Sequence, residues 1–534
     1  MNYGRPHASL AAALAVLVML PACVGGDDDV FTAERADVRD GGTLHLALEA
    51  MPSTFNPWAA PVGDTIDTVL EPTHGSAVAL ADDGSWTVDE RYASAVEVQS
   101  ADPLVVAVTL NPEAVWSDGS SIDAADMQAF AAAQVGAAGQ VPAHDARWSS
   151  VAGVDPGADE WSYTVRFTVP TPDWPALIYP GLPAEATTAD AYNGFTDAAP
   201  PANGPFVVAE IDRAAGRVRL ARNPQWWGPQ PALSAIEYRV IDPAAQAEAF
   251  ADGDLDALEI APAGIDDATD NGAKVSVAPG NEWSQLTMNA ARGPLASSVV
   301  RQAVALAVDR GSVVKAAGSK AETAGSLVRV PGQDGYTDTA GEVLHRDTEQ
   351  ARSLLVSAGY VESGDGWTGA DGAPLTLRLP VPEGNASAKT RADSIAGDLA
   401  EIGIQVTVEP RPAAAFFTEV VVPLDFDLVT FLWSADPFDT TGAVARVQPV
   451  DSPLNFTGLA DPAVAAAAQA LVRASTDPTA FAAAAVAFDT AVLNTFVVVP
   501  LAVEPRALML GDDVVNLVAR RFGSPDWTTV GFRA

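Results

Sequence analysis

The chain reads as an α/β protein. Three observations lead there: short runs with an apolar residue at every second position, capped helical segments between those runs, and a length that no single core can fill. At 534 residues, roughly three domain-sized units are expected from the usual size of a hydrophobic core.

The first strand signal is "TLHLALEA", in which Leu44, Leu46 and Leu48 fall on one face. The pattern recurs in "LVVAVTL" (104–110), "YTVRFTV" (163–169), "AIEYRVI" (235–241) and "LTLRLP" (375–380). Helices lie between. In "RDTEQARSLLVSAGY", Asp347 and Gln350 have the spacing of a capping box, Ala351, Leu354, Leu355 and Ala358 form one stripe, and Gly359 stops the helix. In "SAKTRADSIAGDLAEIGIQVTVEP", Ile395, Leu399 and Ile402 share a stripe, Gly403 ends it, and Ile404, Val406 and Val408 begin a strand at once. Such alternation predicts sheets covered on both faces. The Ala-rich stretch 463–487 is expected to be helical, and no repeat of fixed period is present.

Composition narrows the partners. With 48% hydrophobic and 19% charged residues the chain is globular. Its 69 acidic against 30 basic residues leave a formal charge of −39, which repels phosphate backbones and anionic headgroups alike. Neither nucleic acid nor polybasic membrane docking is expected.

The N-terminus reads "MNYGRPHASLAAALAVLVMLPACVGGDDD", with Arg5 ahead of an apolar run over residues 8 to 20 and Leu20-Pro21-Ala22 before the sole cysteine, Cys23. That run is too short to span a bilayer comfortably and has the length of a signal-peptide core. The motif resembles a bacterial lipobox, which implies a lipoprotein signal peptide over 1–22 and an acylated Cys23 as first mature residue. Each methylene buried in the membrane would contribute about 0.8 kcal/mol to the anchor. Residues 23–40, rich in Gly and Asp after the cysteine, are expected to be a flexible tether.

Catalytic and metal motifs are missing. His7, His45, His74, His144 and His345 are scattered, and no phosphate-cradling glycine loop or GxSxG nucleophile elbow is found. Asp123 and Asp126 could pass for a glycosidase carboxylate pair, but they precede Met127, Phe130 and Ala131 as the first turn of a helix would. No enzyme, cofactor or metal is expected.

Five segments, in order, resemble the extracellular family 5 solute-binding proteins of ABC importers for peptides and nickel. They are "STFNPW" (53–58), "VWSDGSSIDAADM" (115–127), "NGPFVV" with "RNPQWWG" (203–208 and 222–228), "LTMNAARGPLASSVVRQAVALAVDR" (286–310), and the helix–strand segments already described. Much of this is architecture: Asp118-Gly119 suits a turn, Trp116 a core, and Arg301, Asp309 and Arg310 internal pairing and capping. The resemblance implies a type II periplasmic-binding-protein fold, two lobes with a hinge plus an extra domain. It places lobe I at 41–76, 201–286 and 498–534, the extra domain at 77–200, and lobe II at 287–497. It also implies a monomer that encloses its ligand between the lobes and is read in its closed form by an ABC permease.

In relatives that bind peptides, a segment of lobe II carries an aspartate that pairs with the ligand's α-ammonium. The matching residues are Leu432, Trp433, Ser434, Ala435, Asp436 and Pro437, with the family's Gly and Tyr replaced. The implied ligand is a peptide or similar solute with a free amino group, held by a charge-assisted hydrogen bond to Asp436. An Asp-Pro pair also opens turns, with the acid accepting local backbone N–H groups, and Trp433 suits a core as well as a pocket floor. By the same resemblance Met51, Pro52, Ser53 and Thr54 would pair with the ligand backbone, and Trp283 and Gln285 would reach the cleft from a strand crossing between lobes. A reading of a different class is a family member retired from transport into a regulatory or scaffold role at the envelope. The lost Gly and Tyr beside Asp436 keep it open.

Overall fold

The structure, a computed structural model, describes residues 28–61, 64–137, 139, 145–364, 366–474 and 476–534. The signal peptide, Cys23, His7 and His144 lie outside the described residues.

Strand β1 (Thr43–Leu48) opens the first lobe. The chain then builds the extra domain from β2 (Ala93–Ala101), β3 (Leu104–Leu110), helix α1 (Ala124–Gln134), β4 (Val151–Pro156) and β5 (Ser162–Phe167). It returns to the first lobe with β6 (Phe206–Asp212), β7 (Arg217–Arg222) and β8 (Ala235–Val240). These pair in the order β1-β8-β7-β6, with only β1 and β8 parallel. The extra-domain sheet, β2-β3-β5-β4, is antiparallel throughout, and β2 exposes much of its length to solvent. Coverage on both faces therefore fails for this sheet, because hairpin connections need no crossover helix to bury the outer side.

After β9 (Ala257–Glu259) the long strand β10 (Lys274–Met288) leaves for the second lobe. There α2 (Ser298–Ala307), α3 (Arg310–Ala317), β11 (Glu322–Thr323) and α4 (Thr348–Ser357) lead to the parallel pair β12 (Thr376–Pro382) and β13 (Gln405–Arg411), joined by α5 (Ala386–Glu401). Strand β14 (Leu428–Ser434), helices α6 (Thr440–Ala445), α7 (Pro462–Arg473) and α8 (Pro478–Leu493), and the returning strand β15 (Val498–Leu510) complete it. The crossing sheet has the order β9-β15-β10-β14, with β11 added to β15.

Three large hydrophobic cores serve these units, around Leu44, Phe206 and Tyr238 in the first lobe, Trp116, Phe130 and Tyr163 in the extra domain, and Leu377, Ile395 and Phe488 in the second lobe. Among the described residues β15 contributes to both lobe cores, and β10 pairs with it along that course. The register of β10 on β15 breaks between Ala278 and Glu282. At Gly280, inside that break, a Cβ would lie 1.4 Å from the Glu504 carbonyl oxygen, so only glycine lets the two backbones meet there.

Several local signals read from the sequence hold, though the capping box expected at Asp347 and Gln350 forms only in half, because the Asp347 N–H donates to Leu306 O at 2.8 Å instead. Asp123 caps α1, accepting from Ala125 and Asp126 N–H, and Asp126 answers through the Asp123 N–H. The same Asp126 also accepts from Trp116 Nε1 at 2.8 Å and Ala184 N at 2.7 Å, which gives the carboxylate pair a structural role. Asp347 caps α4 on the Gln350 N–H at 2.8 Å. Arg301 donates to the Thr495 and Leu295 carbonyls at 2.9 Å each, and Arg310 to Pro500 O at 2.8 Å.

The tether reading extends too far. Val38 is buried and bridges Arg533, Arg39 N donates to Phe532 O at 2.8 Å, and Asn516 N donates to Phe31 O at 2.8 Å. A few apolar side chains and backbone pairings fasten 31–40 to the C-terminal segment despite their polar composition.

Candidate functional site

The candidate site grows from the edge where β14 meets the crossing strands. Trp433 lies opposite Trp283, and Phe431 opposite Gln285. Trp283 and Gln285 are buried, and Gln285 Nε2 donates to Thr287 Oγ1 at 2.8 Å. Trp433 is covered on its faces: Phe456 stacks at 5.9 Å with 5° between the planes, and Arg446 Cζ lies 4.6 Å from the ring centroid. These residues enclose a space of about 10 Å³, the room of one water molecule. Two buried donors bordering it, Trp433 Nε1 and Arg446 Nε, have no hydrogen-bond partner among the described residues. Arg446 Nη2 meets Asp439 at 2.6 Å. Burial lowers the Arg446 guanidinium's affinity for its proton and raises the Asp439 carboxyl.

Past Trp433 the strand ends and the chain turns. Ala435 N donates to Asn281 O at 2.7 Å, tying the turn to the hinge. Asp436 Oδ1 accepts from Phe438 N at 2.8 Å, the geometry of an Asx turn. Its Oδ2 lies 3.7 Å from Arg147 Nη1, an ion pair too long for a hydrogen bond, and half of the side chain is exposed.

Arg147 comes from the extra domain, and with Asp173 it grips this turn from across the molecule. Arg147 Nε lies 2.8 and 3.0 Å from the two Asp145 oxygens, and its Nη1 donates to Phe438 O at 2.7 Å. Asp173 accepts from Thr440 N and Thr441 N, each at 2.8 Å, at the start of α6. Burial pushes the Asp173 carboxyl up to about 6, and the hydrogen bonds and Arg147 offset it only in part.

The other expected site residues lie apart. Ser434 is exposed and borders a polar cavity of about 450 Å³ beside the hinge, with Glu259, Glu282, Glu504 and Arg506. Ala435 borders a small space shared with Trp283, Asp436 and Arg446. Met51 to Thr54 are on the first lobe and border neither of the small spaces around Trp433 and Asp436. Ser53 binds Asp64 Oδ2 through N and Oγ at 2.9 and 2.7 Å, Thr54 Oγ1 donates to Phe195 O, Pro52 O accepts from Arg213, and Met51 packs on the first core. On that lobe a cavity of about 480 Å³ lies at the C-terminal end of β1, bordered by Glu49, Thr68, Glu71, Tyr238 and Trp527.

Arg147, Asp173 and Arg446 were not singled out by sequence. Arg147 and Phe438 are 291 positions apart, and no local pattern marks a contact made only by folding. Among the described residues no three His, Cys, Asp or Glu side chains gather as a metal site, and no helix is long and apolar enough to cross a membrane.

Comparison with known proteins agrees with this architecture. The family model "Bacterial extracellular solute-binding proteins, family 5 Middle" matches residues 85–448. The oligopeptide-binding protein OppA of Mycobacterium tuberculosis (strain ATCC 25618 / H37Rv) is 32% identical over 531 residues, covering 96% of this chain and 88% of its own. Among solved structures, the periplasmic EDTA-binding protein EppA superposes with a TM-score of 0.85 at 24% identity, covering 95% of this chain and 98% of that one. The oligopeptide-binding protein AppA from Bacillus subtilis, in complex with a nonapeptide, gives 0.74 at 16% identity, covering 93% and 100%. The fold is therefore that of the type II periplasmic-binding proteins, and the chain belongs to the bacterial extracellular solute-binding proteins, family 5.

Proposed function

We propose that the protein captures a peptide, or a similar small organic solute with a free amino group, outside the cytoplasm and delivers it to an ABC importer while acylated Cys23 holds it at the membrane. The relation to OppA supports the peptide class. The observation that carries the amino-group reading is the state of Asp436: one oxygen is fixed by the Phe438 N–H, and the other has only a long ion pair. An ammonium that approaches Oδ2 meets a pre-oriented acceptor and displaces no short bond. It forms a charge-assisted hydrogen bond worth about 1.5–3 kcal/mol. Ligands without the cation would leave Asp436 desolvated against the closing lobe, which penalises them.

The wall that receives the ligand is rigid, since Trp433 is clamped between Phe456 and Arg446. Motion belongs to the lobes, which swing about the break in β10 around Gly280, and ligand shifts their open–closed equilibrium. Mass spectrometry of solutes that co-purify with the protein tests the ligand class. Peptides or amino-bearing solutes are expected; a purified protein that carries none and binds none on titration contradicts the proposal.

A further inference from the structure

A chamber of about 340 Å³ lies between the extra domain and the second lobe, behind the turn that follows Asp436. Its extra-domain wall is Trp86 and Trp174, edge to face with ring centroids 5.4 Å apart. Phe438 and Phe481 border the chamber from the second lobe, and Pro172, Pro175, Pro437 and Pro478 also line it. One cation borders this aromatic space. The Arg329 guanidinium lies over Phe481, 5.0 Å from the ring centroid.

Arg329 is half-buried, and among the described residues its guanidinium makes no hydrogen bond and no ion pair within 4.0 Å. The carboxylates around it do not serve it. Asp173 accepts the Thr440 and Thr441 N–H groups, and Asp477 caps α8 on the Thr479 and Ala480 N–H groups. Asp334 is exposed at the rim. Burial lowers the Arg329 guanidinium's affinity for its proton, with Asp334 and Asp173 offsetting part of that cost. In a chain with 69 acidic residues, a half-buried arginine left unpaired in an aromatic space points to an anion from outside.

We propose that this chamber is a second ligand site, for an apolar acid: an aromatic or branched aliphatic carboxylate whose hydrocarbon part packs among Trp86, Trp174, Phe438 and Phe481 while its carboxylate pairs with Arg329. The volume is at the lower end for small-molecule pockets and suits a single-ring acid better than an extended peptide. Because the walls come from both units, an occupied chamber holds the extra domain to the second lobe and favours the docked arrangement. The site stands on its own residues and does not depend on what Asp436 binds.

Calorimetric titration of the full-length protein with 3-phenylpropionate tests this. 3-Phenylpropylamine has the same ring with the opposite charge, and acetate has the charge without the ring. 3-Phenylpropionate is expected to bind at least tenfold more tightly than either, and Arg329→Gln to weaken it at least tenfold. Ala482→Phe, which fills the chamber and leaves Arg329 in place, should abolish binding. The proposal is overturned if the amine binds as well as the acid, or if both chamber variants bind like wild type.

Discussion

Asp436 and Asp489 show how environment gives one side-chain type opposite roles. Asp436 is half-exposed and has a weakly engaged oxygen, so it can receive a partner from solution. Asp489 is buried in the second-lobe core, where it accepts from Leu327 N at 3.0 Å, and burial pushes its carboxyl up to about 7 with Ser326 and Leu327 offsetting part. A carboxyl whose folded value lies above its unfolded value of 3.8 binds protons more tightly when folded. Its contribution to stability is complete below about pH 4 and is lost as pH rises through about 7. Wild type should therefore lose melting temperature between about pH 4 and pH 7 more steeply than Asp489→Asn, which keeps an acceptor and cannot ionise. Parallel pH profiles for the two proteins would contradict this assignment.

At the scale of elements, legibility followed burial pattern. Strand β3 was read at its observed limits, because one face is buried and the other less so, and the period of two survives in the sequence. β15 is buried on both faces for most of its length, so "VVPLAV" is an unbroken apolar run with no period to read. Within β10, Pro279-Gly280 sits at the break inside an otherwise continuous crossing strand. Asp436 and Trp433 were reached through resemblance, while Arg147 and Asp173 became visible only in space. Residues 31–40 were misread because composition reports the average segment, and one buried valine with a few backbone bonds was enough to fasten it. Gly280, inside the break in β10, is the position to test. Gly280→Ala places a methyl against the Glu504 carbonyl, so the crossing strands must separate, and destabilisation of about 1–3 kcal/mol is expected, seen as a lowered urea midpoint. An unchanged midpoint would mean that the two backbones do not meet as closely as the structure has them.

Across the whole molecule, two strands are the shared framework between the lobe cores, and a polar grip from the extra domain holds the ligand-side turn. Arg147 and Asp173 engage backbone groups of the turn and of α6, so the extra domain holds the segment that carries Asp436. A formal charge of −39 keeps such a body from lying on an anionic bilayer, so the proposed retention at the membrane rests on the acyl chains of Cys23. Cys23→Ser is accordingly expected to move the protein from the membrane to the soluble fraction, and unchanged retention on fractionation would refute the anchor. The proposed role of Asp436 is selection of a free amino group. It is tested most directly by titrating one bound peptide and its N-acetylated form into wild type and Asp436→Ala. The free peptide should bind wild type about 10–100-fold more tightly than the acetylated one, as loss of a charge-assisted hydrogen bond requires, and the difference should vanish in Asp436→Ala. Equal binding of the two peptides to wild type, or a preference that persists in Asp436→Ala, would contradict it.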